Sequence, residues 1–68
     1  MDGTQITQRR EAIGYTRQQL ADAVGVDHAT VWRWEAGESK PSRLAERALE
    51  EVLTRLEQRA VASDQTSG

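Results

Sequence analysis

The sequence has no cysteine, a single histidine, a single proline and no long apolar run. Without cysteine, the chain can form neither a disulfide framework nor a thiolate metal site, and one histidine alone does not make a zinc site. No stretch is long and apolar enough for a signal peptide or a membrane span. These absences predict a soluble protein that works in the cytoplasm of a bacterium or a phage-infected host cell, without a metal or cofactor.

The groups that usually carry catalysis are also missing. There is no glycine-rich phosphate loop, and the acidic residues are spread over positions that we expect to face solvent. A chain of 68 residues also offers little bulk from which to form an enclosed pocket. We therefore expect that this protein is not an enzyme.

An excess of positive charge is absent as well, because the formal net charge is -2. A strong, indiscriminate grip on nucleic acid is therefore not expected, since such binding grows with the number of phosphates neutralised. The charges of residues 1–43 balance, and the deficit lies in residues 44–68. Any nucleic-acid binding should be modest for a single chain and should depend sharply on salt. At this length a lone core is barely sufficient, which favours help from a partner subunit.

The most informative pattern lies in residues 16–37, which read TRQQLADAVGVDHATVWRWEAG. Thr16 and Gln19 have the spacing of a capping box, which predicts a helix that begins at Arg17. Gly25 supplies the left-handed residue that commonly follows a helix end. The predicted core positions of this helix are Leu20, Ala21 and Val24.

A second helix is predicted directly after that turn, from a cap at Asp27 to about residue 36. Val31 and Trp34 are three residues apart and should face the core. Small Ala21 permits the two helices to cross at close range. The remaining positions point outward: His28, Ala29, Trp32 and Arg33.

Two further helices flank this pair. Residues 4–13 predict a first helix with Thr4 as its cap and Gly14 as its terminator. Apolar residues recur at steps of three and four over residues 42–60, which predicts one long last helix. Leu44, Ala48 and Leu49 should close the core. We expect residues 1–60 to form the domain and residues 61–68 to be a disordered tail.

This combined pattern resembles the helix-turn-helix of the Cro and C1 repressor family over roughly residues 5–49. The matching positions are Gly14, Thr16, Leu20, Ala21, residues 24–26, Val31, residues 34–37 and residues 40–42. Two features depart from the family: Arg17 replaces the usual glutamine, and one long helix replaces the usual two short ones. The resemblance implies an all-α, lambda-repressor-like domain of four helices and a structural ion pair between Arg10 and Glu35.

The resemblance also implies double-stranded DNA as the partner, read in the major groove by the helix over residues 27–36. Arg33 is the best candidate for specificity, because its fork can donate two hydrogen bonds to guanine; the alternative is a surface arginine paired with a nearby acid. Ala29 suits a thymine methyl group, and Trp32 suits either the sugar-phosphate wall or the start of the last helix. Phosphate contacts are expected around the rim. The full predicted DNA-binding set is Arg17, Gln18, Asp27, His28, Ala29, Trp32, Arg33, Ser39, Lys40 and Arg43.

The last helix has more apolar surface than the small domain can cover, and the excess lies in its second half. Its stripe predicts a homodimer interface, which would set two recognition helices about one DNA turn apart. The predicted interface residues are Val52, Leu53, Leu56 and Ala60. The function expected from all these features is that of a Cro-like repressor. The alternative is an antitoxin or another protein-interaction module that uses the same scaffold and binds a second protein through the acidic last helix.

Overall fold

The computed structural model describes the backbone of residues 1–67 and the side chains of residues 1–61. Four helices follow one another in this part of the chain: α1 (Gly3–Ala12), α2 (Arg17–Val24), α3 (His28–Ala36) and α4 (Arg43–Ser67). Residues 1–67 contain no strand. The all-α fold of four helices with a long last one, predicted from the sequence, is confirmed.

Helix α1 begins earlier than the sequence pattern predicts. Asp2, not Thr4, is the N-cap: its carboxylate accepts a hydrogen bond from the Gln5 backbone N–H at 2.8 Å. The Gln5 side chain accepts one in return from the Asp2 backbone N–H at 2.9 Å. This capping box satisfies two otherwise unpaired N–H groups. A cap at Thr4 has no Glu or Gln three residues later and could not form the reciprocal pair.

Helix α2 is bounded as predicted. Thr16 Oγ1 accepts from the Gln19 backbone N–H at 3.0 Å, and the Gln19 side chain accepts from the Thr16 backbone N–H at 2.8 Å. At its other end Gly25 adopts a left-handed conformation with φ 91°, and its N–H donates to the Ala21 carbonyl at 2.8 Å. The chain therefore turns over residues 25–27 and enters α3.

Helix α3 starts at the predicted residue, but Asp27 caps it through its backbone and not through its side chain. Asp27 has the extended backbone of an N-cap residue, and its carbonyl accepts from the Thr30 N–H at 3.0 Å. Its carboxylate makes no capping hydrogen bond. The Asp27 side chain is therefore exposed and uncommitted at the start of α3.

The core gathers one or two side chains from each helix. Its buried members are Ile6, Leu20, Ala21, Val31, Trp34, Leu49 and Leu53. Ile13 and Val24 only pack against its edge. The prediction that Leu44 closes the core is wrong, because this side chain is 79% exposed. Leu44 precedes Leu49 by five residues and therefore lies roughly 140° away from it around α4.

Leu53 also differs from its prediction as an exposed interface residue. It is fully buried inside the single chain, and Val52 beside it packs against the core. Helix α4 thus remains attached to the domain for longer than its apolar pattern suggests. Its backbone stays helical to Ser67, where the sequence predicts a disordered tail over residues 61–68. The side chains of residues 62–67 and all of Gly68 lie outside the described residues.

Candidate nucleic-acid interface

Helices α2 and α3 form a compact pair whose crossing depends on a small side chain. Ala21 is fully buried, and its carbonyl accepts from the N–H groups of both Gly25 and Val26, at 2.8 and 3.0 Å. A larger side chain at this place would push the two helices apart. The pair therefore holds α3 at a fixed angle to the rest of the domain.

The two faces of α3 differ sharply in burial. Val31 and Trp34 are buried on one face, and the Glu35 side chain is only 4% exposed. The opposite face carries the side chains predicted to point outward, and every one of them is exposed: His28, Ala29, Trp32 and Arg33. Trp32 is the largest of these, with 45% of its surface exposed. A continuous exposed face of this kind is what a recognition helix needs.

The polar side chains of this face are also uncommitted. Among the described side chains, none forms an ion pair or a hydrogen bond with His28 or Arg33. The alternative in which Arg33 pairs with a nearby acid therefore finds no partner in the part of the chain that the structure describes. Both side chains remain available for a ligand.

The predicted rim residues fall into two groups. Ser39, Lys40 and Arg43 are exposed between the end of α3 and the start of α4, and within residues 1–61 their side chains have no ion-pair partner. In the first turns of α2, Gln18 donates to the Asp22 carboxylate at 3.0 Å. Gln18 is therefore partly engaged.

Arg17 differs most from what the sequence indicates. Its Nε donates to Glu35 Oε1 at 2.9 Å, while 42% of the side chain stays exposed. This contact was not predicted from the sequence. Arg17 joins the first residue of α2 to the last turn of α3.

The predicted ion pair between Arg10 and Glu35 is present. Arg10 Nε donates to Glu35 Oε2 at 2.7 Å and Arg10 Nη2 donates to Glu35 Oε1 at 3.2 Å, with exposures of 9% and 4%. Arg10 Nη1 also donates to the Tyr15 carbonyl at 2.8 Å. Burial raises the pKa of the Glu35 carboxyl, but hydrogen bonds from the two arginines and Thr7 outweigh it and hold the pKa below its ordinary value of 4.5.

A second ionic cluster was not predicted from the sequence. Arg9 donates to both carboxylate oxygens of Glu57 at 2.8 Å, and to Glu50 at 2.9 Å. The hydrogen bond from Arg9 lowers the pKa of Glu57. This cluster ties α1 to the middle of α4 across more than 40 residues of sequence. No local spacing signals such a contact.

The predicted interface residues of α4 occupy different environments. Leu53 is part of the core, Leu56 is half-buried and Ala60 is exposed. Leu56 and Ala60 line a shallow groove together with Ile13, Tyr15 and Arg59. Val61, the next residue along, is 56% exposed. Within residues 52–61 of α4, the exposed apolar surface is thus smaller, and lies further toward the end of the helix, than the sequence predicts.

This arrangement defines a helix-turn-helix protein: two short helices joined by a tight turn, with the outer face of the second helix free. A family model described as helix-turn-helix matches residues 6–55. The chain belongs to this family of DNA-binding regulators, of the Cro/C1 type. No curated protein and no solved structure matches the chain. None of the described helices combines the length and the apolarity needed to cross a membrane.

Proposed function

We propose that this protein is a sequence-specific transcriptional repressor that acts in the cytoplasm and blocks a promoter by occupying a short operator. The observation that carries this proposal is the exposed, uncommitted face of α3. A major groove admits a helix of this size, and side chains near the start of that helix reach the base edges. No catalytic step is part of the proposed role.

Within that face, each side chain has a role that follows from its chemistry. Arg33 donates two hydrogen bonds to guanine O6 and N7, a pairing that contributes about 1–3 kcal/mol of discrimination. His28 donates to a base acceptor or a phosphate, and Ala29 contacts a thymine methyl group. Asp27 can accept from a cytosine amino group, because its carboxylate is not used as a cap. Trp32 lies against the sugar-phosphate wall.

The rim residues contribute charge without reading sequence. Lys40 and Arg43, which follow α3 in the chain, and Arg17 at the start of α2 supply cations, and Gln18 and Ser39 add polar donors. Contacts to phosphates fix the register of a protein on the duplex. Because the chain carries a net charge of -2, few phosphates are neutralised in all. Affinity should still fall as salt rises, because each neutralised phosphate adds about 0.9 to the slope of log affinity against log salt, and two bound copies double that slope.

Selection from a randomised duplex pool at low salt tests the proposal. The parent chain should yield a family of related sites, and Arg33→Ala should lose the guanine preference at one position in each half-site. Arg55→Ala is the matched control, since it removes an exposed arginine from α4 and should leave the selected sequence unchanged. A parent chain that selects no preferred sequence would refute the proposal and favour the protein-interaction alternative.

We further propose that two copies bind together, through the groove lined by Ile13, Tyr15, Leu56 and Ala60 and through Val61 beside it. This patch contains the apolar surface that the core leaves uncovered in residues 56–61 of α4. A two-fold contact there would make the operator a rough palindrome. Leu53 takes no part, because it is already buried within each copy.

Ala60→Glu tests the dimer, because Ala60 is exposed and a charge there should not disturb the folded monomer. Two parent chains should bind a selected palindromic duplex together, whereas two Ala60→Glu chains should bind it stepwise and more weakly. Gln58→Glu places the same charge on the opposite side of α4 and should behave like the parent. Joint binding that survives Ala60→Glu would exclude this patch as the interface.

A further inference from the structure

Ala29 is the smallest side chain on the exposed face of α3, and it lies between two of the largest. Trp32 lies three residues after it, roughly 60° to one side around the helix, and Arg33 lies four residues after it, roughly 40° to the other side. Side chains at these spacings are neighbours on a helix surface, with Cβ atoms about 5–6 Å apart. All three are exposed. They therefore bound a recess, with Ala29 as its base and Trp32 and Arg33 as its sides.

The chemistry of this recess suits a small apolar group. The Ala29 side chain is a methyl group without a donor or an acceptor, so a polar base edge placed against it would lose a hydrogen bond. On one side stands the Trp32 indole, which is 45% exposed. On the other stands the planar guanidinium of Arg33, which pairs with no acid among the described side chains. In a major groove, the matching group is the C5 methyl of thymine or of 5-methylcytosine.

The base contact of Arg33 fixes where such a methyl group lies. In a two-bond contact, the guanidinium lies in the plane of a guanine and meets its O6 and N7 atoms. In B-DNA, the C5 position of a pyrimidine points into the major groove beside the N7 edge of the guanine that follows it on the same strand. A guanidinium on that guanine therefore covers a methyl group on the preceding pyrimidine. Because Ala29 lies one helical turn before Arg33 on the same side of α3, its own methyl group reaches the same position.

We propose that α3 reads a two-base step, a pyrimidine with a C5 methyl group followed by guanine, with the methyl group in the recess and the guanine on Arg33. Thymine and 5-methylcytosine carry the same methyl group, so both are accepted, whereas unmethylated cytosine is disfavoured. An operator with cytosine before this guanine is therefore bound more tightly after that cytosine is methylated. This inference rests on the proposed DNA-binding function and deepens it, because it joins two base contacts into one step and makes binding sensitive to DNA methylation.

Four duplexes test the proposal on the parent chain alone. Each carries the selected operator, and they differ only in the pyrimidine before the guanine read by Arg33 in one half-site: thymine, uracil, cytosine or 5-methylcytosine, each with its own complement. Thymine differs from uracil, and 5-methylcytosine from cytosine, by one methyl group with the base pairing unchanged. In each comparison the methylated duplex should bind about fourfold more tightly, which is the effect of burying one methyl group. Selection from an unmodified pool should place thymine at this position.

Two variants separate the recess from the rest of the DNA-binding surface. Ala29→Leu fills the recess with a good helix former at an exposed position, so the fold should persist and the advantage of the methylated duplexes should disappear. Lys40→Gln is the control, because it removes an exposed cation that contacts no base in the proposed complex. It should weaken binding to all four duplexes by the same factor. If Ala29→Leu binds none of the duplexes, the comparison within the parent chain decides.

Three results would overturn the inference: equal binding of methylated and unmethylated duplexes by the parent, a methyl advantage that persists in Ala29→Leu, or a selected pool with no thymine before the guanine. If the parent selects an operator and Arg33→Ala loses the guanine preference while the methyl group has no effect, only the inference fails. If the parent selects no sequence at all, the proposed function fails and the inference fails with it.

Discussion

Arg9 and Arg10 are neighbours on α1, yet they perform different tasks. They lie about 100° apart around the helix, so each faces a different partner helix. Arg10 is 9% exposed and holds Glu35 of α3, whereas Arg9 is 25% exposed and holds Glu57 and Glu50 of α4. The acids differ in the same way, with exposures of 4% for Glu35 and 36% and 56% for the other two. The comparison teaches that the burial of an ion pair, more than its presence, decides how much its loss lowers the free energy of unfolding.

Loss of Arg10 should have the largest effect. Arg10→Ala leaves the buried Glu35 carboxylate with the half-exposed Arg17 as its one described cationic partner, so the free energy of unfolding should fall by about 3–5 kcal/mol. DNA binding should fall only as far as the folded fraction does. Thermal melting alongside affinity at low temperature checks this. Lost binding at an unchanged melting temperature would contradict the structural role of Arg10.

Gly3→Ala disturbs the contact between α1 and α3 without touching a charge. A Cβ atom at Gly3 would lie inside contact distance of the carbonyl oxygens of Trp34 and Glu35, both backbone atoms that cannot move aside easily. Overpacking of this kind should cost about 1–3 kcal/mol. Chemical denaturation measures it, with Ala12→Gly as a control for helix propensity on α1. A Gly3→Ala variant as stable as the parent would show that α1 and α3 are not held this close.

Arg9→Ala should have a smaller effect than either change. The Arg9 cluster is half exposed, and exposed pairs contribute at most about 1 kcal/mol. The loss should shrink further in 1 M salt, where screening is strong. Denaturation of Arg9→Ala and Arg10→Ala at low and high salt sharpens the comparison. If Arg9→Ala lowers the free energy of unfolding as much as Arg10→Ala does, burial does not explain the difference between the two clusters.

Acid should weaken both ionic clusters, and we expect this change in stability to be the smallest of the four. The pKa values of Glu35 and Glu57 are lowered in the folded protein from an ordinary value of 4.5. Their stabilising contributions are therefore complete above about pH 4.5 and are lost as the pH falls through the folded values. Glu57→Gln should reduce the loss of stability between neutral and acid pH. Glu51→Gln should not, because Glu51 is exposed and has no described ion pair. An unchanged decline in Glu57→Gln would argue against the contact with Arg9.

The sequence predicts several features that depend on interactions between residues close together in the chain. The start of α2 follows from Thr16 and Gln19, its end follows from Gly25, and the exposed face of α3 follows from the spacing of Val31 and Trp34. The pairing of Arg10 with Glu35 came from the family resemblance. In each case the deciding interaction lies within a few residues or in a pattern that the family repeats.

The cap of α1 at Asp2 is a local feature that the prediction missed. The errors in burial on α4 and the ion pairs that were not predicted share another cause, which is contact between distant segments. Leu44 and Leu53 both lie on the apolar pattern of α4, and only the line along which α4 meets the other helices decides that the first is exposed and the second buried. Arg17 and Glu35 are 18 residues apart, and Arg9 and Glu57 are 48 apart. No periodicity spans such distances, because it reports which face of a helix is apolar and not what covers that face.

The most direct test of DNA reading by α3 replaces the guanine selected opposite Arg33 with 7-deazaguanine, which lacks the N7 acceptor but still pairs with cytosine. The parent chain should lose roughly tenfold in affinity for the altered operator, since one of two hydrogen bonds to the base is gone. Arg33→Ala should bind both duplexes equally. Equal binding of both duplexes by the parent, or an equal loss in Arg33→Ala, would contradict the assignment of Arg33 as the residue that reads the operator.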